Sequence, residues 1–157
     1  MKTKRALTFA LGLVLLLASF ACTRHDVGTP SPVGPSSFSV LLKLSASPNV
    51  IASGSHRQGT TITATLKRFD GTPLVDRTIY FEICKANHSR VNIGYFEGMT
   101  RFLSRLTDSG GNITLVYYGP LSSEIKASTS VFIWGRAASE GNEFIEDFAQ
   151  VNIVKDP

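Results

Sequence analysis

Residues 78–84 read Thr78-Ile79-Tyr80-Phe81-Glu82-Ile83-Cys84. Every second residue is large and apolar, so Ile79, Phe81 and Ile83 share one face of an extended chain, with Tyr80 and Glu82 on the other. A helix would scatter these residues around its axis, because its repeat is 3.6 rather than 2. The stretch therefore predicts a half-buried β-strand, and by the same alternation Cys84 belongs to the second face near the strand end.

The same period recurs on both sides of this strand. Upstream, Ile62, Ala64 and Leu66 alternate with Thr61, Thr63 and Thr65, and Val40, Leu42, Leu44 and Ala46 form an earlier series. Downstream, Met99–Thr107 is a fainter strand carrying Phe102 and Leu106. Ile113, Leu115 and Tyr117 share a face, Val131 and Ile133 continue the series, and Ala149, Val151 and Ile153 close it. Thr, Val, Ile, Tyr and Phe dominate these runs and suit a pleated, half-buried surface. Ser53-Gly54, Asp70-Gly71-Thr72-Pro73, Asp108-Ser109-Gly110-Gly111 and Gly119-Pro120 punctuate them as turns. About seven or eight short strands with one polar face predict an all-β sandwich. The best candidate for a helical turn is Glu143–Phe148, through Phe144, Ile145 and Phe148.

The order of these motifs resembles the bacterial immunoglobulin-like domains of the invasin and intimin type. Leu44-Ser45-Ala46-Ser47-Pro48 and Ile51-Ala52-Ser53-Gly54 look like the opening strand and its kink. Asp70-Gly71-Thr72-Pro73-Leu74 followed by Ile79-Tyr80-Phe81 is similar to the family's "G-x-P-L … V-x-F" step. Thr107-Asp108-Ser109-Gly110-Gly111 before Ile113–Tyr118 is similar to its "T-D-x-x-G" turn. The resemblance spans nearly all of 38–154 and implies an immunoglobulin-like β-sandwich with a binding or adhesive role. Lys85–Gly98 is longer and less regular than the family pattern at that point, and the domain is single where the adhesins carry many in tandem.

The N-terminus carries a different signal. A basic head with Lys2, Lys4 and Arg5 precedes the apolar run Ala6–Leu17, and Ala18-Ser19-Phe20-Ala21 leads into Cys22. That is the order of a secretory signal peptide, and the run is short of the roughly 20 residues that a spanning helix needs. The segment Ala18–Cys22 resembles a bacterial lipobox, with Ser19 and Phe20 standing where the commonest form has Leu and a small residue. The resemblance implies cleavage after residue 21 and lipidation of Cys22. Thr23 at the next position, where Asp would resemble an inner-membrane retention signal, points to the outer membrane. Thr23–Ser37, with Pro30, Pro32 and Pro35 among Gly, Ser and Thr, predicts an extended tether. At about 3.1 Å per residue it would reach roughly 45 Å. The expected organisation is thus a signal peptide at 1–21, a lipidated N-terminus and tether at 22–37, and a sandwich domain at 38–157.

Charge and chemistry narrow the role. The net charge of +4 depends on the head, since Lys2, Lys4 and Arg5 are three of the 16 basic residues and their removal leaves 13 against 12 acidic ones. Those 13 are scattered and make no electrostatic footprint for nucleic acid. With Cys22 acylated, Cys84 has no cysteine to bridge and reads as a small packed side chain. Cys84 and His88 are four apart but follow a strand, and the other histidines, His25 and His56, lie far off in sequence, so no metal set or Cys–His nucleophile is expected. Glu140, Glu143, Glu146 and Asp147 lack the ligand spacing of a calcium loop and read as a solvated run. Trp134 and Tyr117-Tyr118 are the candidate binding platform. Asn87-His88-Ser89 and Asn112-Ile113-Thr114 match the glycosylation sequon, which means little in a bacterial export product. These readings predict a non-enzymatic envelope lipoprotein without a cofactor, anchored by lipid, whose domain contacts a protein or glycan. The alternative is an accessory subunit of an envelope assembly.

Overall fold

The computed structural model describes residues 40–139 and 143–156. The signal peptide, Cys22, the tether, the boundary at Phe38 and Glu140 lie outside the described residues. Among the described residues, nine strands run in the order β1 (Val40–Ser47), β2 (Val50–Ser53), β3 (Gly59–Arg68), β4 (Thr78–Cys84), β5 (Tyr95–Phe96), β6 (Phe102–Leu106), β7 (Asn112–Tyr118), β8 (Thr129–Ala138) and β9 (Phe144–Lys155). They form a four-stranded sheet, β1-β3-β7-β5, and a five-stranded sheet, β2-β9-β8-β4-β6. Ladders are antiparallel except β2 with β9.

The core lies between the sheets and is built by the alternation seen in the sequence. Ile62, Ala64 and Leu66 from β3 and Ile113, Leu115 and Tyr117 from β7 face Ile79, Phe81 and Ile83 from β4 and Val131 and Ile133 from β8. Leu42 and Leu44 of β1 and Ala149, Val151 and Ile153 of β9 complete it. Inward residues of strand pairs stack on one face because a pleated chain turns successive side chains to opposite sides.

The expected kink after the opening strand is present. The chain breaks at the cis Ser47-Pro48 bond, and β2 leaves the sheet of β1 to pair with β9 in the other. Beside this crossover, the Asp147 carboxylate of β9 accepts a hydrogen bond from the Leu44 N–H of β1 at 2.6 Å. It satisfies an edge-strand donor that lacks a ladder partner.

Lys85–Gly98 is less loose than the sequence suggests. It brings Val91 and Phe96 into the core and pairs β5 with β7. The Phe96 ring meets Tyr117 edge-on at 6.4 Å, and the Tyr117 hydroxyl donates to the Ile93 carbonyl at 3.1 Å. The expected helical turn at Glu143–Phe148 is instead the start of β9, in register with β8 from Phe144↔Ala138 to Phe148↔Trp134. One isolated helical turn orders several residues for a single hydrogen bond, whereas the ladder satisfies each of these groups against a strand already in place. Phe102 and Leu106 of β6 also turn outward, and Leu103 is the residue of that strand that packs on the core.

Candidate functional site

Each strand of the five-stranded sheet turns its second face outward, and that face is not the polar surface expected of a solvated sheet. In register across β6, β4, β8 and β9 stand Phe102, Glu82, Trp134 and Phe148, and beside them Ser104, Tyr80, Arg136 and Glu146. Tyr80 and Phe148 are each 42% exposed, Phe102 54% and Phe144 60%. The opposite outer face, on the four-stranded sheet, carries Lys43 and Ser45 of β1, Thr61, Thr63 and Thr65 of β3 and Thr114 of β7. That face also carries the exposed Leu41 and the Tyr95–Tyr118 pair, but the larger set of exposed aromatics is on the five-stranded sheet. Large exposed apolar patches with polar rims mark contact sites on soluble folds.

Tyr80, Glu82, Phe102, Trp134, Arg136, Phe144 and Glu146 line a groove of about 950 Å³, and Phe148 lies on the same face beside it. Its floor is aromatic. The Tyr80 and Phe102 rings stack at 6.3 Å, and Trp134 lies 4.9 Å from Phe148, which meets Phe132 edge-on. One wall is the Lys85–Arg90 turn, which lays the His88 ring 3.6 Å from Trp134 and pairs Arg90 with Glu82. At the other end Arg136 pairs with Glu146 and its guanidinium lies 5.4 Å above the Phe144 ring. Two residues lining the groove, Asp76 and His88, hold left-handed backbone angles of 54° and 60° without being glycine. Asn, Asp and His accept that conformation more readily than other non-glycine residues. For His88 it is set by the turn in which the Lys85 carbonyl accepts from the His88 N–H and the Asn87 side chain accepts from Ser89.

The structure brings Cys84, His88 and Trp134 together in this groove. Burial, with a smaller effect from Glu82, raises the Cys84 thiol above its usual range, against the opposing pull of Arg90. A buried, protonated thiol is a poor nucleophile. No group of three or more His, Cys, Asp or Glu residues suited to a metal occurs among the described residues. The Trp134 Nε1 is buried and has no hydrogen-bond partner among the described residues.

The expected platform therefore divides. Trp134 belongs to the groove, whereas Tyr117 is core on the other sheet, where burial pushes its phenol well above the ordinary range, and Tyr118 meets Tyr95 on that sheet. Of the expected acidic run, Glu146 is spent on Arg136 and Asp147 on Leu44. Tyr80, Phe102, Phe144, Phe148 and Arg136 were not singled out from sequence. Their signal was present, since Phe132-x-Trp134 and Phe144-x₃-Phe148 put large apolar residues in the outward phase of β8 and β9.

The two sheets, the opening strand shared between them and the Greek-key crossings define an immunoglobulin-like β-sandwich. No family model matches the chain, and no curated protein matches it either. Among solved structures it is similar to the ASH / PapD-like domain of human CEP192 (PapD-like domain 7), with 7% sequence identity and a TM-score of 0.41, over 82% of this chain and 93% of that one.

Proposed function

We propose that this chain is a membrane-anchored, non-catalytic lipoprotein of the bacterial cell envelope, of the invasin and intimin immunoglobulin-like type, and that its sandwich binds a partner protein through the aromatic groove. The observation that carries the binding role is the cluster of five aromatic side chains, Tyr80, Phe102, Trp134, Phe144 and Phe148, on the outer face of the five-stranded sheet, beside a groove that four of them line. Aromatic residues and arginine are the types enriched at the cores of protein interfaces, where they contribute most of the binding energy. The anchor rests on the basic head, the apolar run and the Cys22 motif, and Thr23 after the cysteine favours an outer-membrane destination. The tether would hold the groove clear of the lipid surface.

Incorporation of a photoreactive phenylalanine at Tyr80, with a matched probe at Thr63 on the opposite face, tests this in intact cells. Capture of a defined protein from Tyr80 and none from Thr63 is the expected result. Equal capture from both positions, or capture of glycan instead of protein, would overturn the reading of the groove.

A further inference from the structure

The groove reaches the point where the chain enters the sandwich. Val40, the first residue of β1, lines it together with Leu74, Ala138 and Phe144. Strand direction explains this company. β2 continues β1 beyond the kink and runs parallel to β9, so β1 and β9 point the same way. The Asp147 carboxylate of β9 accepts from the Leu44 N–H of β1. Four residues upstream of Leu44 is Val40, and three upstream of Asp147 is Phe144, which stands opposite Ala138. The two strands therefore begin at the same end of the groove. There Leu74 is buried and Val40 half-buried, whereas Phe144 is 60% exposed. Arg136, which lies over the Phe144 ring, is already paired with Glu146. What this end can take up is an uncharged, apolar side chain.

The five residues immediately upstream are Pro35-Ser36-Ser37-Phe38-Ser39, and none of them is charged. Phe38 is in phase with Val40, Leu42 and Leu44, the residues that β1 turns toward the core. Two residues of extended chain set its Cα about 7 Å from that of Val40, at this end of the groove. Pro35 lies three residues further upstream. A polyproline helix has about three residues per turn, so Pro35 and Phe38 share one side in that conformation. Proline-rich segments dock in aromatic-lined grooves at low entropic cost, because their extended form is preset. The short link adds to this, since it holds Phe38 beside the groove at an effective concentration of about millimolar or higher.

We propose that residues 35–39 of the same chain are the resident occupant of this end of the groove, with the Phe38 ring packed on Val40 and Phe144, and that a partner protein displaces them to bind. The displacement rests on the reading of the groove as a partner site, and the occupancy does not. A groove filled in this way binds its partner with an affinity reduced by the fraction of time it stands open.

Photoreactive phenylalanine in place of Phe38, in the full chain in mild detergent, tests the occupancy. The expected crosslink joins position 38 to peptides carrying Ala138 or Phe144. A mixture of light and isotopically heavy copies should show it within one chain. A crosslink to the outer face of the four-stranded sheet, one between copies, or none to the protein at all would each overturn the occupancy. Phe38→Ser tests the displacement. It should leave the circular dichroism spectrum unchanged. At equal amounts of anchored protein it should raise capture from the Tyr80 probe in cells about 3-fold or more. Unchanged capture would overturn the displacement. No capture from Tyr80 in either chain, with the crosslink from position 38 intact, would remove the partner reading and leave the occupant in place.

Discussion

Truncating Phe81 to alanine is the sharpest probe of the strand register on which the sandwich rests. Phe81 lies in the middle of β4 with none of its surface exposed, paired on one side with Leu103 and on the other with Gly135. Gly135 leaves room there that the Leu44 side chain partly occupies, since a Cβ on Gly135 would meet both Leu44 methyl carbons at 2.9 Å. An aromatic side chain removes roughly 150–250 Å² from water, which at about 25 cal/mol per Å² is about 4–6 kcal/mol before alanine's own share is returned. The flanking Ile79 and Ile83 are held by the same strand and cannot collapse into the space. The expected loss is therefore about 4 kcal/mol, within the usual range for such truncations. It should lower the melting temperature by roughly 10–20 °C. Glu82, one residue along, faces outward and pairs with Arg90, whose side chain is 84% exposed. Glu82→Ala should cost no more than about 1 kcal/mol, as exposed ion pairs do. Urea denaturation of the two variants, with unchanged slopes, measures both. A larger loss for Glu82→Ala would mean that β4 is turned over, because a slip of one residue exchanges the faces.

Gly94 holds a φ of 69°, and a Cβ there would run into the Tyr117 hydroxyl and the Tyr118 carbonyl. Gly94→Ala should therefore destabilise the domain by about 3 kcal/mol or more in the same melts, and a neutral result would contradict the placement of β5 on β7. The Arg57 hydrogen bond holds the Glu124 carboxyl below its usual range. Its stabilisation is present above the ordinary carboxylate pKa and disappears as pH falls through the depressed folded value. Glu124→Gln should cost about 0.5 kcal/mol at neutral pH and nothing in strong acid, and a difference that persists in acid would assign the effect to packing. With its thiol raised and 2% exposed, Cys84 should react with iodoacetamide at pH 8 at least about 10-fold more slowly in the folded protein than in urea. Equal rates would show that the Lys85–Arg90 turn does not cover it. Cys22→Ser should abolish labelling by an alkyne fatty acid in cells, and undiminished labelling would remove the lipid anchor from the proposal.

The alternation of residues determined by itself most of what is local about this protein. Ile62, Ala64 and Leu66, Ile79, Phe81 and Ile83, and Val151 and Ile153 are all inward, because a pleated strand translates a period of two directly into a buried face. Asp70-Gly71 and Asp108–Gly111 turn the chain where their side chains and positive φ angles allow it, with Gly71 at 88° and Gly111 at 72°. Trp134 was legible as a binding candidate, but its company was not. Tyr80, Phe102, Phe144 and Phe148 come from three strands spread over 69 positions of the chain, and only their register with β8 sets them beside Trp134. The same holds for Glu143–Phe148, whose spacing permits a helical turn until β8 offers it a ladder. It holds too for β6, whose Phe102 and Leu106 look like core residues in sequence and face outward at an edge. Strand pairing is non-local, so the sequence pattern reveals which residues share a face. Which sheet the face belongs to, what lies opposite it, and which edge stays open were decided by the packed sandwich.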